Sequence, residues 1–205
     1  MIKYILFILI GFISGSMMYS YLLPKWFAKT NIIDESKDNN PGAVNAIKHA
    51  GTQIGIICLL LDMLKGFIPV FLACVFTDRQ GILFSLVIAS PVLGHAFSPM
   101  LGWKGGKAIA SSFGVLLGLI PNSYIVFLLA ALYIFFSIII IIRPHEMRTV
   151  LVFILFAAGS LFLLDDKSIT FGCFIISGVV ILKNFQPSPS RDKKTELSVI
   201  GKKIF

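Results

Sequence analysis

Long apolar stretches leave this chain few ways to fold. They occupy residues 4–23, 54–76 and 82–101, with further, shorter or less uniform stretches at 108–120, 124–142, 149–164 and 168–182. About 20 apolar residues in a helix cross a hydrocarbon layer about 30 Å thick. A helix satisfies its backbone N–H and C=O groups within its own segment, which lipid demands. The pattern therefore predicts an all-α, polytopic membrane helix bundle of about seven transmembrane helices. The short fourth, sixth and seventh stretches keep a five-span reading open. Pro121-Asn122-Ser123 and Asp165-Asp166-Lys167 read as hard breaks between helices, since proline cannot continue the hydrogen-bond ladder.

Composition agrees. Of the 205 residues 57% are hydrophobic and 14% charged, with mean hydropathy +0.90. Soluble domains carry about 25% charged residues. The net charge of +8 does not form an aromatic-flanked patch suited to nucleic acid; the basic residues fall between apolar runs and in the tail. Fourteen of the 18 Lys and Arg lie in 25–50, 103–107, 143–148 and from Lys183 onward, including Arg191, Lys193 and Lys194. Only Lys3, Arg79 and Lys167 lie in the alternate loops. That bias predicts an N-terminus outside and a C-terminus inside. Residues 1–185 are expected to form a single transmembrane domain and 186–205 a flexible basic cytoplasmic tail. A cleaved leader is an alternative for the start, but Ser14-Gly15-Ser16 fits a small-residue cleavage site poorly. Cys58, Cys74 and Cys173 lie in apolar runs without C-x-x-C spacing, so neither a zinc site nor a disulfide framework is expected.

Polar residues inside such a chain are costly, so they mark a site. Four clusters stand out: Asn39-Asn40-Pro41-Gly42-Ala43-Val44-Asn45, Asp62-Met63-Leu64-Lys65-Gly66, Gly94-His95-Ala96-Phe97-Ser98-Pro99 and Lys104-Gly105-Gly106-Lys107. The first and last fall on the same, cytoplasmic side. Glycine permits close backbone approach and lysine brings a mobile charge, which are the needs of a phosphate site. Lys104-Gly105-Gly106-Lys107 precedes an apolar helix whose dipole favours anions. Taken alone it reads equally as a basic loop with a turn. The Asn40–Asn45 stretch taken alone reads as turn and cap chemistry. Asp62 and Lys65, three residues apart, share a helix face and are expected to form a structural ion pair. His95 reads as a hydrogen-bonded packing residue, and no carboxylate or second histidine stands at metal-ligand spacing. Ser16 and Ser111-Ser112 add hydroxyls near the clusters, although membrane-helix serines usually bond their own backbone.

In combination the clusters resemble the bacterial membrane glycerol-3-phosphate acyltransferases that use acyl phosphate (the PlsY type). That family carries G-S, G-N-P-G-A-T-N, D-x-x-K-G, G-H-x-x-x-P and K-G-G-K-G-x-A-T/S in order. Gly15-Ser16, Asn40 to Asn45, Asp62 to Gly66, Gly94 to Pro99 and Lys104 to Ser111 stand in that order here, over about residues 15–118. The family has seven spans and an outside N-terminus. The resemblance implies a multi-pass enzyme of the bacterial cell membrane that moves a fatty acyl group from acyl phosphate to the 1-hydroxyl of glycerol 3-phosphate. The products are lysophosphatidic acid and phosphate, and no cofactor or metal is implied. It implies Ser16, Asn45, Lys104 and Ser111 as catalytic residues. It implies Lys25, Asn40, Pro41, Gly42, Ala43, Lys48, His95, Gly105, Gly106 and Lys107 as phosphate- or substrate-binding residues. The partners are acyl phosphate, glycerol 3-phosphate and the lipid bilayer.

The chain departs from the family at several positions. Lys25 and Lys48 stand for arginines, and Asp34 for the arginine of a D-I-R segment. Ile142-Arg143-Pro144-His145-Glu146-Met147-Arg148 replaces T-R-x-x-S, and Lys183-Asn184-Phe185 lies where the family has H-R-x-N-I. An impaired or re-purposed relative that binds phosphorylated lipid precursors is therefore the second expectation. A small transporter is a third, opposed by the lack of an internal repeat.

Overall fold

The structure is a computed structural model describing residues 1–120, 122–185, 196–199 and 202–203. The described residues form ten α-helices: α1 Ile2–Ser16, α2 Tyr19–Phe27, α3 Ile32–Glu35, α4 Ala43–Ala50, α5 Thr52–Phe76, α6 Gly81–Ala96, α7 Ile109–Gly118, α8 Val126–Ile134, α9 His145–Leu163 and α10 Lys167–Phe185. Five segments are long and apolar enough to cross a membrane: Ile2–Phe27, Thr52–Phe76, Gly81–Leu101, His145–Leu163 and Lys167–Phe185. The ten residues of α7 reach only about 15 Å at 1.5 Å per residue, half of the hydrocarbon thickness. The bundle is that of an all-α membrane protein, with a belt of exposed Ile13, Leu60, Phe76, Ile138 and Phe162 on its outer surface.

Segment edges differ from the sequence expectation in ways that matter. The helix expected over 124–142 ends at Ile134, passes through a π-turn at Phe135–Ile139 and becomes a strand, β1 Ile140–Arg143. Its run of β-branched isoleucines favours a strand over a helix. Conversely, α9 starts at His145 and α10 runs to Phe185, so Glu146, Arg148 and Lys183 are helical residues rather than loop residues. Pro121 and most of the tail expected to be flexible lie outside the described residues. Within the tail, β2 Glu196–Val199 pairs antiparallel with β1 and with β3 Lys202–Lys203.

Three prolines stand inside helices, and serines repair two of the gaps. Pro69 lacks the N–H that would bond the Lys65 carbonyl, and Ser14 Oγ donates to that oxygen instead, at 2.9 Å. Pro91 leaves the Val87 carbonyl free, and Ser90 Oγ donates to it at 2.9 Å. An unpaired carbonyl in a lipid-surrounded bundle costs several kcal/mol, so these hydroxyls make the prolines tolerable.

The central helix is α6, of which 67% of the apolar window is buried, against 28% for the first span. Its Phe84, Ile88 and Val92 share one core with Leu116 of α7, Leu119 just after it, Phe153 and Phe156 of α9, and Ile176 of α10. The α1–α6 contact is close because Gly15 lies against the Pro91 carbonyl and Gly94 against that of Phe12; a Cβ would sit 2.1 and 2.2 Å from those oxygens. Gly81 N–H bonds Ser168 at one end, while at the other the 28–42 and 97–108 loops and the start of α9 gather. That second end is where the polar clusters meet.

Candidate active site

The anchor of this end is α6. Its last turn presents the His95 carbonyl, which accepts a hydrogen bond from Gly106 N–H at 3.1 Å. The loop lies so close that a Cβ on Gly105 would be 1.9 Å from the His95 oxygen, and one on Gly106 would be 2.4 Å from His95 Nε2. Glycine is required here by this close approach. Asn40 then ties the first loop to the second: its Oδ1 accepts from Lys107 N–H at 3.2 Å, while Asn45 Nδ2 donates to the Asn40 carbonyl at 2.9 Å.

The loops that lead into two helix starts are thereby tied together. The N-cap of α4 is Gly42 and that of α7 is Ala108, and neither supplies a side-chain cap or an acidic residue in the first turn. The first-turn amides of Ala43 to Asn45 and Ile109 to Ser111 precede the first i−4 bonds, made by Ala46 N–H to Gly42 and Ser112 N–H to Ala108. Such amides, together with the dipole, attract anions, each helix end contributing about 0.3–1 kcal/mol. Gly106 N–H is spent on the His95 carbonyl, and a side chain at Gly105 or Gly106 would collide with His95. The two glycines let α7 begin against α6.

Lys107 is held at a carboxylate node. Its ammonium donates to Asp38 Oδ2 at 2.8 Å and Glu146 Oε1 at 3.1 Å, and lies 3.4 Å from His145 Nε2. Asp38 also accepts from Asn45 Nδ2 at 2.8 Å. Burial alone pushes the Asp38 carboxyl up, but the Lys107 ammonium and the bonds from Asn45 and Asn40 outweigh it and hold the group below 3.8. The donor atoms of Asp38, His145 and Glu146 lie within 4.8 Å of one another, a composition that suits a metal; the Lys107 ammonium is among them. His145 and Glu146 come from the stretch that departs from the family pattern, so that stretch braces the Lys107 side chain.

Beneath this end lies a buried polar group that uses the break between α1 and α2. Lys65 Nζ pairs with Asp62 at 2.7 Å and donates to the Met17 carbonyl, which the break leaves without a helical partner, at 2.5 Å. Ser20 Oγ donates to the other Asp62 oxygen at 2.5 Å. Asp62 and Lys65 are 1% and 4% exposed, so the expected structural ion pair is present. His95 Nδ1 lies 4.0 Å from Asp62 and makes no hydrogen bond among the described residues.

The other expected residues are distributed unevenly. Ser16 Oγ donates to its own helix at Phe12, and Ser111 Oγ lies 3.4 Å from the Pro91 carbonyl at the α6–α7 contact. Pro41 is buried. Lys104 and Lys48 are exposed, and Lys25 is exposed with its ammonium on Tyr21. The structure thus brings together Asn40, Gly42, Ala43, Asn45, His95, Gly105, Gly106 and Lys107, and leaves Lys25, Lys48 and Lys104 at the surface. Sequence reasoning missed Asp38, Ser20, His145 and Glu146. Asp38 stands two residues before Asn40 in a polar loop, with no spacing signal to mark it.

The fold defines a multi-pass helical membrane protein whose polar residues gather at one end of the bundle. The chain belongs to the glycerol-3-phosphate acyltransferase family, whose profile matches residues 5–189. It is 43% identical over 124 residues to a glycerol-3-phosphate acyltransferase of Thermotoga petrophila, covering 60% of this chain and 62% of that one. It is 38% identical over 120 residues to one of Leptospira borgpetersenii, covering 58% and 55%. In each case the aligned stretch is under two thirds of the relative's length. The crystal structure of PlsY (YgiH), an integral membrane glycerol 3-phosphate acyltransferase in its glycerol 3-phosphate form, has the same fold. The TM-score is 0.75 at 21% identity, covering 88% of this chain and 87% of that one. These relatives are bacterial, and this chain is likewise a multi-pass protein of the bacterial cell membrane.

Proposed function

We propose that this protein transfers a fatty acyl group from acyl phosphate to the 1-hydroxyl of glycerol 3-phosphate, releasing lysophosphatidic acid and phosphate. The observation that carries the reading is the Asn40–Lys107 bond, which ties the loop ahead of α4 to the loop ahead of α7, both helices starting without a side-chain cap. Two anionic substrates must be drawn to one place, and amide donors with nearby ammonium groups supply that attraction. The donor is already activated, so no covalent enzyme nucleophile is required. The glycerol oxygen attacks the acyl carbonyl carbon and forms the ester bond. The bond from that carbon to the phosphate oxygen breaks, its electron pair leaves with phosphate, and phosphate takes up the hydroxyl proton. The protein contributes alignment and stabilisation of the developing charge.

On this reading the first turns of α4 and α7 receive phosphate oxygens, and Asn40 and Asn45 fix the loop. Lys104, free of the carboxylate node, is the exposed cation nearest in sequence to the start of α7. Ser16 lies at the C-terminal end of α1, where its carbonyl accepts from Ser98 Oγ at 2.7 Å, which ties the two segments at this end. The positive-inside bias of the sequence supports a site on the cytoplasmic face.

Membranes carrying the chain are expected to release phosphate from palmitoyl phosphate only when glycerol 3-phosphate is added. Asn40→Ala should lower that rate at least tenfold or so, since it loses the bond that ties the loops ahead of the two helix starts. Release no greater than from vector-only membranes overturns the proposal.

A further inference from the structure

A lysine near the end of a membrane helix ordinarily extends into interfacial water and leaves only its stem in the apolar layer. Lys183, in the last turn of α10, does not. It is 7% exposed, and its ammonium lies over the Phe97 ring, 5.5 Å from the centroid. Phe97 caps α6, two residues after His95, and Lys183 and Lys65 are the two cations whose fields reach the His95 ring. The carboxylates of this region are already engaged: Asp62 with Lys65 and Ser20, Asp38 and Glu146 with Lys107. Among the described residues none pairs with Lys183, and an aromatic face is a weaker partner for a desolvated ammonium than an anion. The interior beside His95 therefore carries, among the described residues, one positive charge in excess.

Resting on the acyl-transfer reading above, we infer that Lys183 is a substrate-binding residue that takes the phosphate of an amphiphilic ligand, the acyl phosphate, beside His95 and Phe97. Its surroundings select the amphiphile over glycerol 3-phosphate. Leu182 and Phe185 on the same turn are 53% and 45% exposed on the apolar surface of a span. A phosphate reaching Lys183 thus arrives with a hydrocarbon chain lying against α10. The first turns of α4 and α7, by contrast, stand beside the more exposed loops. In this division of labour one cation serves the lipid-borne phosphate and the paired helix starts serve the water-borne one. In the sequence Lys183 reads as an orienting charge and as part of the stretch that stands for H-R-x-N-I.

The test uses the full chain in lipid nanodiscs, with Lys183→Met, Lys183→Gln and Lys183→Arg. Dodecyl phosphate binding is measured by titration, and KM is measured separately for palmitoyl phosphate and glycerol 3-phosphate. Lys183→Met and Lys183→Gln are expected to weaken dodecyl phosphate binding and raise KM for palmitoyl phosphate roughly tenfold to a hundredfold. KM for glycerol 3-phosphate should stay within about twofold, and Lys183→Arg should restore most of the loss. Met and Gln differ in polarity, so a folding failure of one leaves the other to report. Unchanged dodecyl phosphate binding in either folded variant overturns the inference, as does a rise confined to KM for glycerol 3-phosphate. Orthophosphate that binds as tightly as dodecyl phosphate, with the same dependence on Lys183, overturns the amphiphile assignment. If the chain binds dodecyl phosphate through Lys183 yet transfers no acyl group, the acyl-transfer reading fails and the Lys183 site stands.

Discussion

Gly105→Ala offers a test whose size follows from the geometry. The added Cβ would lie 1.9 Å from the His95 carbonyl oxygen and 2.9 Å from the Ala96 carbonyl carbon and oxygen. All three are backbone atoms of the last turn of α6, the most buried helix, so they cannot swing aside. To reach ordinary contact at 3.4 Å the loop must retreat by about 1.5 Å. That shift breaks the Gly106-to-His95 bond and pulls Lys107 N–H out of the 3.2 Å bond to Asn40. The starts of α4 and α7 then lose register. A displacement of about 1 Å in a catalytic arrangement costs about a hundredfold in rate. The expected result is a fall of that order in kcat/KM for glycerol 3-phosphate–dependent phosphate release, with a stability loss of about 1–3 kcal/mol from overpacking. Gly178→Ala is the control, because a Cβ there meets nothing within 4 Å; it should behave as wild type. Gly105→Ala with more than about a third of wild-type activity would refute the reasoning, since the loop could not then have moved as required.

Other consequences follow from the same residues. Lys65→Met strands Asp62 in the interior and should destabilise the protein by about 3–5 kcal/mol, with Asp62→Asn in the same chain recovering much of it, as read by thermal unfolding in detergent. Asp38 ionises below its ordinary value of 3.8, so its stabilising contribution is complete above that pH and is lost as pH falls through its folded value. Lys107→Met removes the largest lowering influence and leaves the upward push of burial; Tm against pH should then show acid sensitivity at higher pH than wild type. Ala108 has φ 59°, in the left-handed region that costs an L-residue about 1–2 kcal/mol, at a position where the resembling motif has glycine. Ala108→Gly should raise stability by about 1 kcal/mol with activity retained.

The polar clusters were legible because charged and glycine-rich groups are conspicuous against apolar sequence, and their order along the chain carried the resemblance. The Asp62–Lys65 pair followed from helical spacing alone. The Lys107 node did not: it joins Asp38, Lys107 and Glu146, residues far apart in sequence, and no local pattern reports such a meeting. The break at Met17-Met18 has neither proline nor glycine at it, and is matched instead by Lys65 from another helix. Residues 135–142 read as a continuation of α8 because apolar runs do not distinguish helix from strand by periodicity, and isoleucine-rich sequence tipped the balance to strand. The burial of Lys183 is not legible in sequence, since burial of a single lysine at a helix end depends on which side chains close over it.

The most direct measurement is magnetic-resonance contact between the phosphorus of bound glycerol 3-phosphate and labelled backbone nitrogens of the full chain in lipid. Transfer from phosphorus to the first-turn amides of both Ala43 to Asn45 and Ile109 to Ser111 is the result this account requires. Bound, turnover-competent glycerol 3-phosphate with no contact to either turn would contradict it.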